Sequence, residues 1–433
     1  MRFDDREVHS LVQSYERATE NDRQPYYDVE DLETIVNYYY DTGSFEQMSD
    51  AVQFAILLHP HSLIFKIKEI QLDLATKNFT RAQAKLQQIE GFSDHHVELL
   101  IARATLFMHQ GKTEKALAIL DSALERAEDE EEILNQIIDA HLTQGAYEHA
   151  TESILRLCKL DSNLDDGTIY QLALCFDFMH QYERAVNCFD EFIEREPYNG
   201  LLWYQKAAFS MRLNHEEKAL EYFNWAITAD DSFHAAYFEI GRIHERNDRL
   251  IEAMNAYKQS FSEEVPSGYI YLRIGMIEQE LGSLGQALDA FDKAIEVEPE
   301  LEDAYLERAN TLCELDRHKE AIQDYKKVWV FGNYGDEDVI DYVEALVELD
   351  LLDDAIQILY DGCGQFEDNA QLRLILAGYL FATASYEEAR VIMNECLDLE
   401  STSIDLFHQY FPAFGKIPEI TGILAEIQSA HNA

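Results

Sequence analysis

Ten alanines recur every 34 residues along most of this 433-residue chain, with one step of 35 between Ala150 and Ala185. The series consists of Ala82, Ala116, Ala150, Ala185, Ala219, Ala253, Ala287, Ala321, Ala355 and Ala389, and Met48 lies one period upstream. A fixed period of this length indicates an array of small structural units. We therefore expect function on a surface that several units build together, and not in the pocket of one domain.

Each period contains the pattern of two helices. With the alanine at position 20, the repeats start at residues 29, 63, 97, 131, 166, 200, 234, 268, 302, 336 and 370. Position 24 is always apolar, position 8 is usually small, and position 15 is commonly a turn former such as Gly43 or Asn214. Positions 20, 24 and 27 form one helical stripe, and positions 4, 7, 8 and 11 form another. The period therefore predicts two antiparallel amphipathic helices whose backbones approach at the small residues.

This pattern resembles the tetratricopeptide repeat family over about residues 29–403. One repeat that carries the family's marks contains Trp203, Ala207, Asn214, Ala219, Phe223 and Ala226. The resemblance implies an all-α chain, an α-solenoid in which about eleven helix–turn–helix repeats form a right-handed superhelix. Residues 1–28 are predicted to form an N-terminal capping helix and lead-in, and residues 404–433 a C-terminal cap. A patch that docks a partner is the alternative for the aromatic residues after residue 403.

The chain is strongly acidic, with 34 Lys and Arg against 83 Asp and Glu and a net charge of −49. This charge argues against direct binding to nucleic acid or to an anionic membrane surface. Two interpretations of the charge remain open, solubility and attraction of basic proteins. The partner, the pathway and the oligomeric state are not predicted.

The sequence has no recognisable catalytic or metal-binding pattern. Its six cysteines form no CxxC pair, and no HExxH motif, nucleophile elbow or Gly-rich dinucleotide loop occurs. We therefore expect no enzyme activity, no metal and no cofactor. The sequence has neither the apolar run of a signal peptide nor an apolar stretch of about 18 residues, and this predicts a cytoplasmic protein.

In the resembled family, positions 2, 5, 9, 12 and 13 of the first helices face a concave groove that binds peptides. Carried over to the repeats that start at 166, 200, 234 and 268, these positions and the groove edge predict thirteen groove residues. They are Tyr170, Leu174, Phe178, Tyr204, Met211, Arg212, Phe238, Arg242, Arg246, Tyr269, Leu272, Arg273 and Met276. Aromatic and arginine side chains are enriched at the hot spots of protein interfaces. The alternative is that the arginines pair with local acids such as Glu239, Glu245 and Glu280, which contributes about 0–1 kcal/mol per pair.

Residues 328–372 contain twelve acids and no Lys or Arg, and residues 24–65 and 127–155 also lack Lys and Arg. The acidic groove candidates are Asp303, Asn310, Glu314, Glu337, Glu344 and Glu348. We expect the acidic surface formed by these candidates and by residues 328–372 to attract a basic segment of a partner, and the affinity for that segment to fall as the salt concentration rises. The family's clamp for a chaperone's C-terminal carboxylate is disfavoured, because position 5 never carries Lys or Arg here.

These observations favour a non-catalytic protein–protein interaction scaffold or adaptor that binds partner segments in its concave groove. Two alternatives remain open. One is an acidic, chaperone-like escort or assembly factor for a basic client protein, and the other is a non-catalytic subunit of a larger complex.

Overall fold

The computed structural model describes residues 5–20, 26–89, 96–127, 129–160, 164–261, 266–400 and 402–431. In these ranges the regular elements are twenty-five α-helices and one short 3₁₀ helix, without a β-strand. The chain divides into two compact units, Met1–His215 and Glu216–Ala433. Both units are all-α over the described ranges, as the period predicts. Residues 1–4 and 21–25 of the predicted N-terminal cap lie outside the described residues.

The first unit consists of one leading helix, five helix pairs and a final helix. Its helices are α1 (Asp5–Glu20), α2 (Val29–Asp41), α3 (Phe45–Leu58), α4 (Leu63–Ala75), α5 (Phe79–Ile89), α6 (Val97–His109), α7 (Thr113–Leu124), α8 (Glu131–Thr143), α9 (Tyr147–Leu160), α10 (Asp166–Phe178), α11 (Tyr182–Arg195) and α12 (Gly200–Arg212). Short turns make the members of each pair, from α2/α3 to α10/α11, pack antiparallel. In addition, α2 contacts α4, α4 contacts α6, α6 contacts α8, and α10 contacts α12. These first helices of the pairs therefore line one face of the unit.

The second unit has the same organisation. Its helices are α13 (Glu216–Ala229), α14 (His234–Arg246), α15 (Leu250–Gln259), α16 (Gly268–Glu280), α17 (Leu284–Val297), α18 (Glu302–Glu314), α19 (His318–Phe331), α20 (Asp336–Val347), α21 (Leu352–Gln365), α22 (Ala370–Ala382), α23 (Tyr386–Leu399), α24 (Ser403–Tyr410) and α25 (Pro418–His431), with a 3₁₀ helix at Phe414–Lys416. Five pairs run from α14/α15 to α22/α23, and α16 contacts α18, which contacts α20. Their first helices again share a face.

The alanine series marks where the two helices of a repeat meet. All ten alanines and Met48 are 0% exposed, and the residue four positions later is buried in every repeat. The packing is tight enough that a larger residue at position 8 would collide with position 24. A Cβ on Gly241 would lie 2.7 Å from Tyr257 Cδ1, and one on Gly275 would lie 2.6 Å from Phe291 Cδ1. Small residues therefore set the distance between the helices, and large ones fill the adjoining space.

A left-handed residue forms the turn at position 15 of every repeat. The residues with positive φ there are Gly43, Lys77, Gly111, Gly145, His180, Asn214, Asp248, Gly282, Asp316, Asp350 and Ala384. Glycine, asparagine and aspartate accept this conformation most readily, whereas Lys77, His180 and Ala384 adopt it at an energetic cost. The same turn therefore forms whether or not its residue favours the backbone conformation.

Buried ion pairs join neighbouring elements of the second unit. Arg308 on α18 donates to both carboxylate oxygens of Asp324 at 2.7 Å each, and it also pairs with Asp292. Asp324 is only 5% exposed, so its charge depends on this guanidinium for compensation. Burial alone would lower the pKa of Arg308, but its hydrogen bonds with Asp324 and Asp292 raise the pKa above the ordinary value for arginine.

Extra helices cover the ends of the array. Val12 and Tyr15 of α1 are buried in a cluster with residues of α2 and α3. At the other end, Phe407 of α24 is fully buried, and α24 and α25 both contact α23. The Phe411 ring lies directly over Gly378 of α22, where it occupies the space that a side chain would need. The aromatic residues after residue 403 therefore pack mainly inward, although Tyr410 remains 51% exposed.

Candidate functional site

The first unit presents an apolar groove between α10 and α12. Tyr170, Leu174 and Phe178 follow one another at four-residue intervals on α10 and therefore lie on one helical face. They are 54%, 47% and 56% exposed, which is unusual for side chains of this size. Tyr170 and Leu174 line a groove of about 460 Å³ together with Phe209 and Arg212 of α12. The arrangement offers an apolar floor that is open to water.

Polar groups form the rim of the α10–α12 groove. Arg212 Nε lies 3.5 Å from Asp177 Oδ1, so the predicted groove arginine faces an acid of the neighbouring first helix. Phe178 stacks on Tyr147 with ring centroids 4.6 Å apart. Tyr204 and Met211 are partly buried on α12 and do not line this groove.

In the second unit, α14 and α16 bring a smaller set of candidates together. The Phe238 ring lies 6.2 Å from Tyr269 and 5.8 Å from Tyr257, and Tyr269 is 44% exposed. Met276 Sδ accepts a hydrogen bond from Arg273 Nη1 at 3.6 Å. These side chains form a partly exposed aromatic face.

Leu272 is a correction to the predicted groove set. It is only 2% exposed and belongs to a buried cluster with Phe291, Ala294 and Ala304. The small alanines on the neighbouring helices leave room for the leucine to pack into the core between them. Leu272 therefore supports the groove from beneath and presents no surface to a ligand.

The arginines of this face all have acidic partners. Arg242 Nη1 lies 3.2 Å from Glu239, and Arg246 Nη2 lies 3.1 Å from Glu216, not beside Glu280. Both guanidinium groups remain more than half exposed, and pairs of this kind contribute about 0–1 kcal/mol. Local pairing, which the sequence left as an alternative, is thus present, but it leaves these two arginines open to a ligand.

Arg273 differs from the other arginines because it belongs to a partly buried network. It pairs with Glu245, whose second oxygen accepts a hydrogen bond of 2.6 Å from the Tyr257 hydroxyl. The Arg273 side chain is 28% exposed and Glu245 is 19% exposed. A group held in this way stabilises the α14–α16 contact and is a poor candidate for gripping a ligand.

The acidic candidates occupy α18 and α20 or the residue that follows. Asp303, Glu314, Glu337, Glu344 and Glu348 are all exposed. Glu314 accepts a hydrogen bond of 2.9 Å from the Gln279 side chain. Asn310 is partly buried, and its side-chain oxygen accepts a bond of 2.7 Å from the Tyr325 hydroxyl, so it holds the core together.

Glu307 and Asp341 belong to the same acidic face, and the sequence reasoning missed them. Burial raises the pKa of Glu307, and the nearby carboxylates of Asp303 and Asp338 raise it further. The pKa of Asp341 is raised by burial and by neighbouring acids that include Glu344. Both occupy position 6 of their repeats, which the transferred family positions leave out. Gln171 and Gln205 line the α10–α12 groove from the same position, so position 6 also belongs to the surface that the first helices expose.

A larger cavity, also missed, lies among α2, α4, α6 and α8 of the first unit. Its volume is about 1030 Å³, and its lining includes Tyr40, Lys68, Glu98, Glu132 and Asp139. Two of the segments without Lys or Arg, residues 24–65 and 127–155, both contribute to it. The lack of Lys and Arg in both segments indicates an acidic surface on each, but the sequence does not show that the two segments face each other.

The charged groups of this α2–α8 cavity crowd one another. Burial raises the pKa of Glu132, Lys68 lowers it, and the acids Glu98, Asp129 and Asp41 raise it. Burial also raises the pKa of Asp139 and of the Tyr40 hydroxyl, to which the Glu132 and Asp41 charges add. Negative charge is therefore concentrated where water is partly excluded.

All six cysteines are free. Burial raises the thiol pKa in each case, to about 11 for Cys158 and Cys363 and about 12 for Cys188 and Cys396. The described ranges contain no group of three or more His, Cys, Asp or Glu placed to hold a metal ion. In those same ranges, every helix is too short or too polar to cross a bilayer.

The tetratricopeptide repeat family model matches residues 101–164 and 272–331, one stretch in each compact unit. The chain therefore contains tetratricopeptide repeats in both units. Its repeated helix pairs, with small residues at the contact and a shared face of first helices, have the organisation of this fold. The fold indicates a role in protein–protein interaction.

Several known proteins are similar to this chain at low sequence identity. TPR repeat-containing protein YpiA of Bacillus subtilis (strain 168) is 20% identical over 389 residues, covering 87% of this chain and 89% of YpiA. Among solved structures, PilW, a type IV pilus biogenesis factor, is 20% identical with a TM-score of 0.40, covering 49% of this chain and all of PilW. YrrB, described as a TPR protein with an unusual peptide-binding site, is 17% identical with a TM-score of 0.37, covering 41% of this chain and 91% of YrrB.

Proposed function

We propose that this protein is an interaction scaffold that binds a segment of another protein along the exposed faces of its first helices. The observation that carries the proposal is the α10–α12 groove, where Tyr170 and Leu174 are about half exposed over a cavity of about 460 Å³. Exposed apolar surface of this kind is stabilised when a partner removes it from water, at about 25 cal/mol per Å². The occupant is a partner segment with a large apolar side chain.

The rim supports this occupant. Asp177 and Arg212 lie only 3.5 Å apart, so each can exchange its partner for a polar group of an incoming main chain without leaving a buried charge. Both side chains are more than two-fifths exposed, which makes the exchange inexpensive. Specificity then comes from the apolar contact, with the polar rim aligning the segment.

A matched pair of variants tests the groove. Leu174→Asp places a carboxylate on its floor, whereas Leu57→Asp makes the same change at an 81% exposed leucine of the second helix α3. A displayed library of random dodecapeptides is selected on the parent protein, and the affinity of the selected peptides is measured for all three proteins. We expect the peptides to share a large apolar residue and to bind Leu174→Asp at least about tenfold more weakly, which is about 1.4 kcal/mol. If they bind both variants as well as the parent, the groove is not the binding site.

The escort function is the second candidate, and the acidic face of α18 and α20 supports it. Because neighbouring carboxylates raise the pKa of Glu307 and Asp341, a basic partner segment would relieve their repulsion. Binding of a basic protein to the parent and to Glu307→Gln is measured from about 50 to 300 mM salt. We expect weaker binding and a shallower salt dependence for the variant. Equal salt dependence would contradict the escort function.

A further inference from the structure

Two histidines occupy a repeat position at which several other repeats bury a large side chain. That position is 11, and the large residues buried there are Tyr39, Phe176, Leu312, Leu346 and Leu380. His141 lies at position 11 on α8 in the first unit, and His244 lies there on α14 in the second. The Nδ1 atom of each ring is buried and has no hydrogen-bond partner among the described residues. Each unit therefore carries a titratable ring with one nitrogen enclosed by protein.

Protonation does not suit a ring that is enclosed in this way. A neutral imidazole with its proton on Nε2 leaves only a lone pair unused at Nδ1. The charged ring carries a proton on both nitrogens, so it places a buried N–H group where the described residues offer no acceptor. Burying a charge and an unpaired donor costs more than burying the neutral ring. Protonation is therefore accommodated only when the ring moves and the contact around it opens.

The surroundings of His141 also oppose its charge. The His149 ring of α9 stacks on it with centroids 5.3 Å apart. Burial lowers the pKa of His141 most, and the neighbouring His149 lowers it further. Asp121 of α7 and Glu152 of α9 act in the opposite sense, but the pKa stays below its ordinary value of 6.5. α6 also contacts α8, and its ionisable side chains, which are not among these influences, are Glu98, Arg103 and His109.

His244 has a comparable environment. Burial lowers its pKa most, Arg249, which directly precedes α15, lowers it further, and Glu252 of α15 raises it. α13 also contacts α14, and its ionisable side chains, which are not among these influences, are Glu216, Glu217, Lys218, Glu221 and Tyr222. Each of the two rings thus has a basic neighbour in addition to its unpartnered nitrogen.

We propose that His141 and His244 form an acid-sensitive switch, in which protonation of the rings loosens the helix pairs α8/α9 and α14/α15. At neutral pH both rings are uncharged and pack between the helices. Because the closed state holds the proton less readily than the opened state, the free energy of opening falls as the pH drops below the ordinary histidine pKa of 6.5. The stability that the neutral rings contribute is therefore present above that pH and lost below it.

In the first unit the switch adjoins the α10–α12 groove. Tyr147 of α9 stacks on Phe178 of α10, so loosening of α9 removes support from the exposed apolar face of α10. This consequence rests on the proposed function, whereas the acid response of the helix pairs does not. The response is measured without a ligand, so its failure and the failure of the groove are distinguishable.

Hydrogen exchange of the full-length chain, measured by mass spectrometry and corrected for the pH dependence of the intrinsic exchange rate, tests the switch. His141→Phe and His244→Phe each remove one ring and install the residue that Phe107 and Phe176 place at position 11. Each variant is the control for the other. His61→Phe makes the same change at an exposed histidine of the first unit.

A proton that binds only the opened state raises the equilibrium constant for opening by up to about tenfold per pH unit below the ordinary pKa. Between about pH 7.5 and about pH 5.5, we expect opening of α8/α9 to increase about three- to tenfold more in the parent than in His141→Phe. The response of α14/α15 should be unchanged in that variant, and His244→Phe should show the reverse pattern. His61→Phe should respond like the parent at both pairs. If a helix pair responds equally to acid with and without its histidine, the switch is absent from that pair.

A second measurement needs no variant and stays informative if a phenylalanine variant fails to fold. Deuterium exchange at the imidazole Cε1 of each histidine, followed by mass spectrometry across a pH series, gives the pKa of each ring in the parent protein. We expect values below 6.5 for His141 and for His244. A value of 6.5 or above for either ring would overturn the proposal for its helix pair.

Discussion

The contact between Gly275 and Phe291 yields a quantitative prediction. Gly275 lies at position 8 of its repeat, and a Cβ there would lie 2.6 Å from Phe291 Cδ1 and 2.9 Å from Cζ. Glycine in a helix interior is about 1 kcal/mol less favourable than alanine, so Gly→Ala at an open site should stabilise. Gly422 is such a site, because no atom lies within 4 Å of its ideal Cβ in α25. We expect Gly422→Ala to raise the local stability by about 1 kcal/mol.

At Gly275 the same substitution meets a fully buried ring. Overpacking in a core costs about 1–3 kcal/mol, which outweighs the propensity gain and leaves a net loss of up to about 2 kcal/mol. Phe291→Leu removes the ring atoms that collide, so Gly275→Ala should become stabilising in that background. The two changes are therefore coupled by about 1–3 kcal/mol in a double-mutant cycle.

Hydrogen exchange measured by mass spectrometry on peptides from α16 and α17 is the suitable assay. It reports the free energy of local opening, and a chain of two compact units need not unfold in one step. The exchange of α22 and α23 serves as an internal reference. If Gly275→Ala stabilises α16 as much as Gly422→Ala stabilises α25, and the cycle shows no coupling, position 8 does not control the spacing of the helices.

Three further substitutions, two of them paired with a control variant, have expected outcomes. Arg308→Ala leaves its buried carboxylate partner unpaired and should lower the free energy of local opening of α18 and α19, measured by hydrogen exchange, by about 3 kcal/mol, whereas Arg317→Ala, at an exposed pair, should leave that free energy unchanged. Because the folded-state pKa of Glu132 is raised, its charge destabilises the fold above that pKa and has no effect below the unfolded value. Glu132→Gln should therefore raise the melting temperature at pH 7.5 and lose this effect near pH 4; an equal effect at both values would contradict the charge explanation. Ala384→Gly should raise the melting temperature by relieving a φ of +59°, in a gain of about 1 kcal/mol, while Ala425→Gly inside α25 should lower it.

The helices could be predicted closely because the alanine period sets the phase of every other position. Glycine, asparagine and aspartate turns such as Gly43 and Asn214 are visible in the sequence for the same reason. The turns at Lys77 and Ala384 carry no such signal, because lysine and alanine do not prefer a left-handed backbone. They adopt it since the packing of the two helices stabilises each turn by more than the local cost.

The candidate site was less predictable, for two physical reasons. A repeat pattern assigns a residue to a face but does not give the angle between neighbouring pairs, so it did not show that Tyr40 and Glu132 come near each other. A repeat position also does not fix burial, since Leu272 fills a gap beside alanines whereas Tyr170, at the same position, stays exposed. The partners of the arginines depend on both the angle between pairs and the burial of each residue. The sequence therefore did not predict that Arg246 lies beside Glu216.

The left-handed turns also bear on how the chain folds. Each turn closes a contact between helices that follow one another directly, so the sequence separation is short and the entropy lost in forming a pair is small. Pairs whose turn is glycine, such as the one around Gly282, close without backbone strain, whereas those around Lys77 and His180 close against it. Folding should therefore begin at the glycine turns of each unit. It should then spread to the strained pairs, which are stabilised by contacts with neighbouring pairs that have already formed.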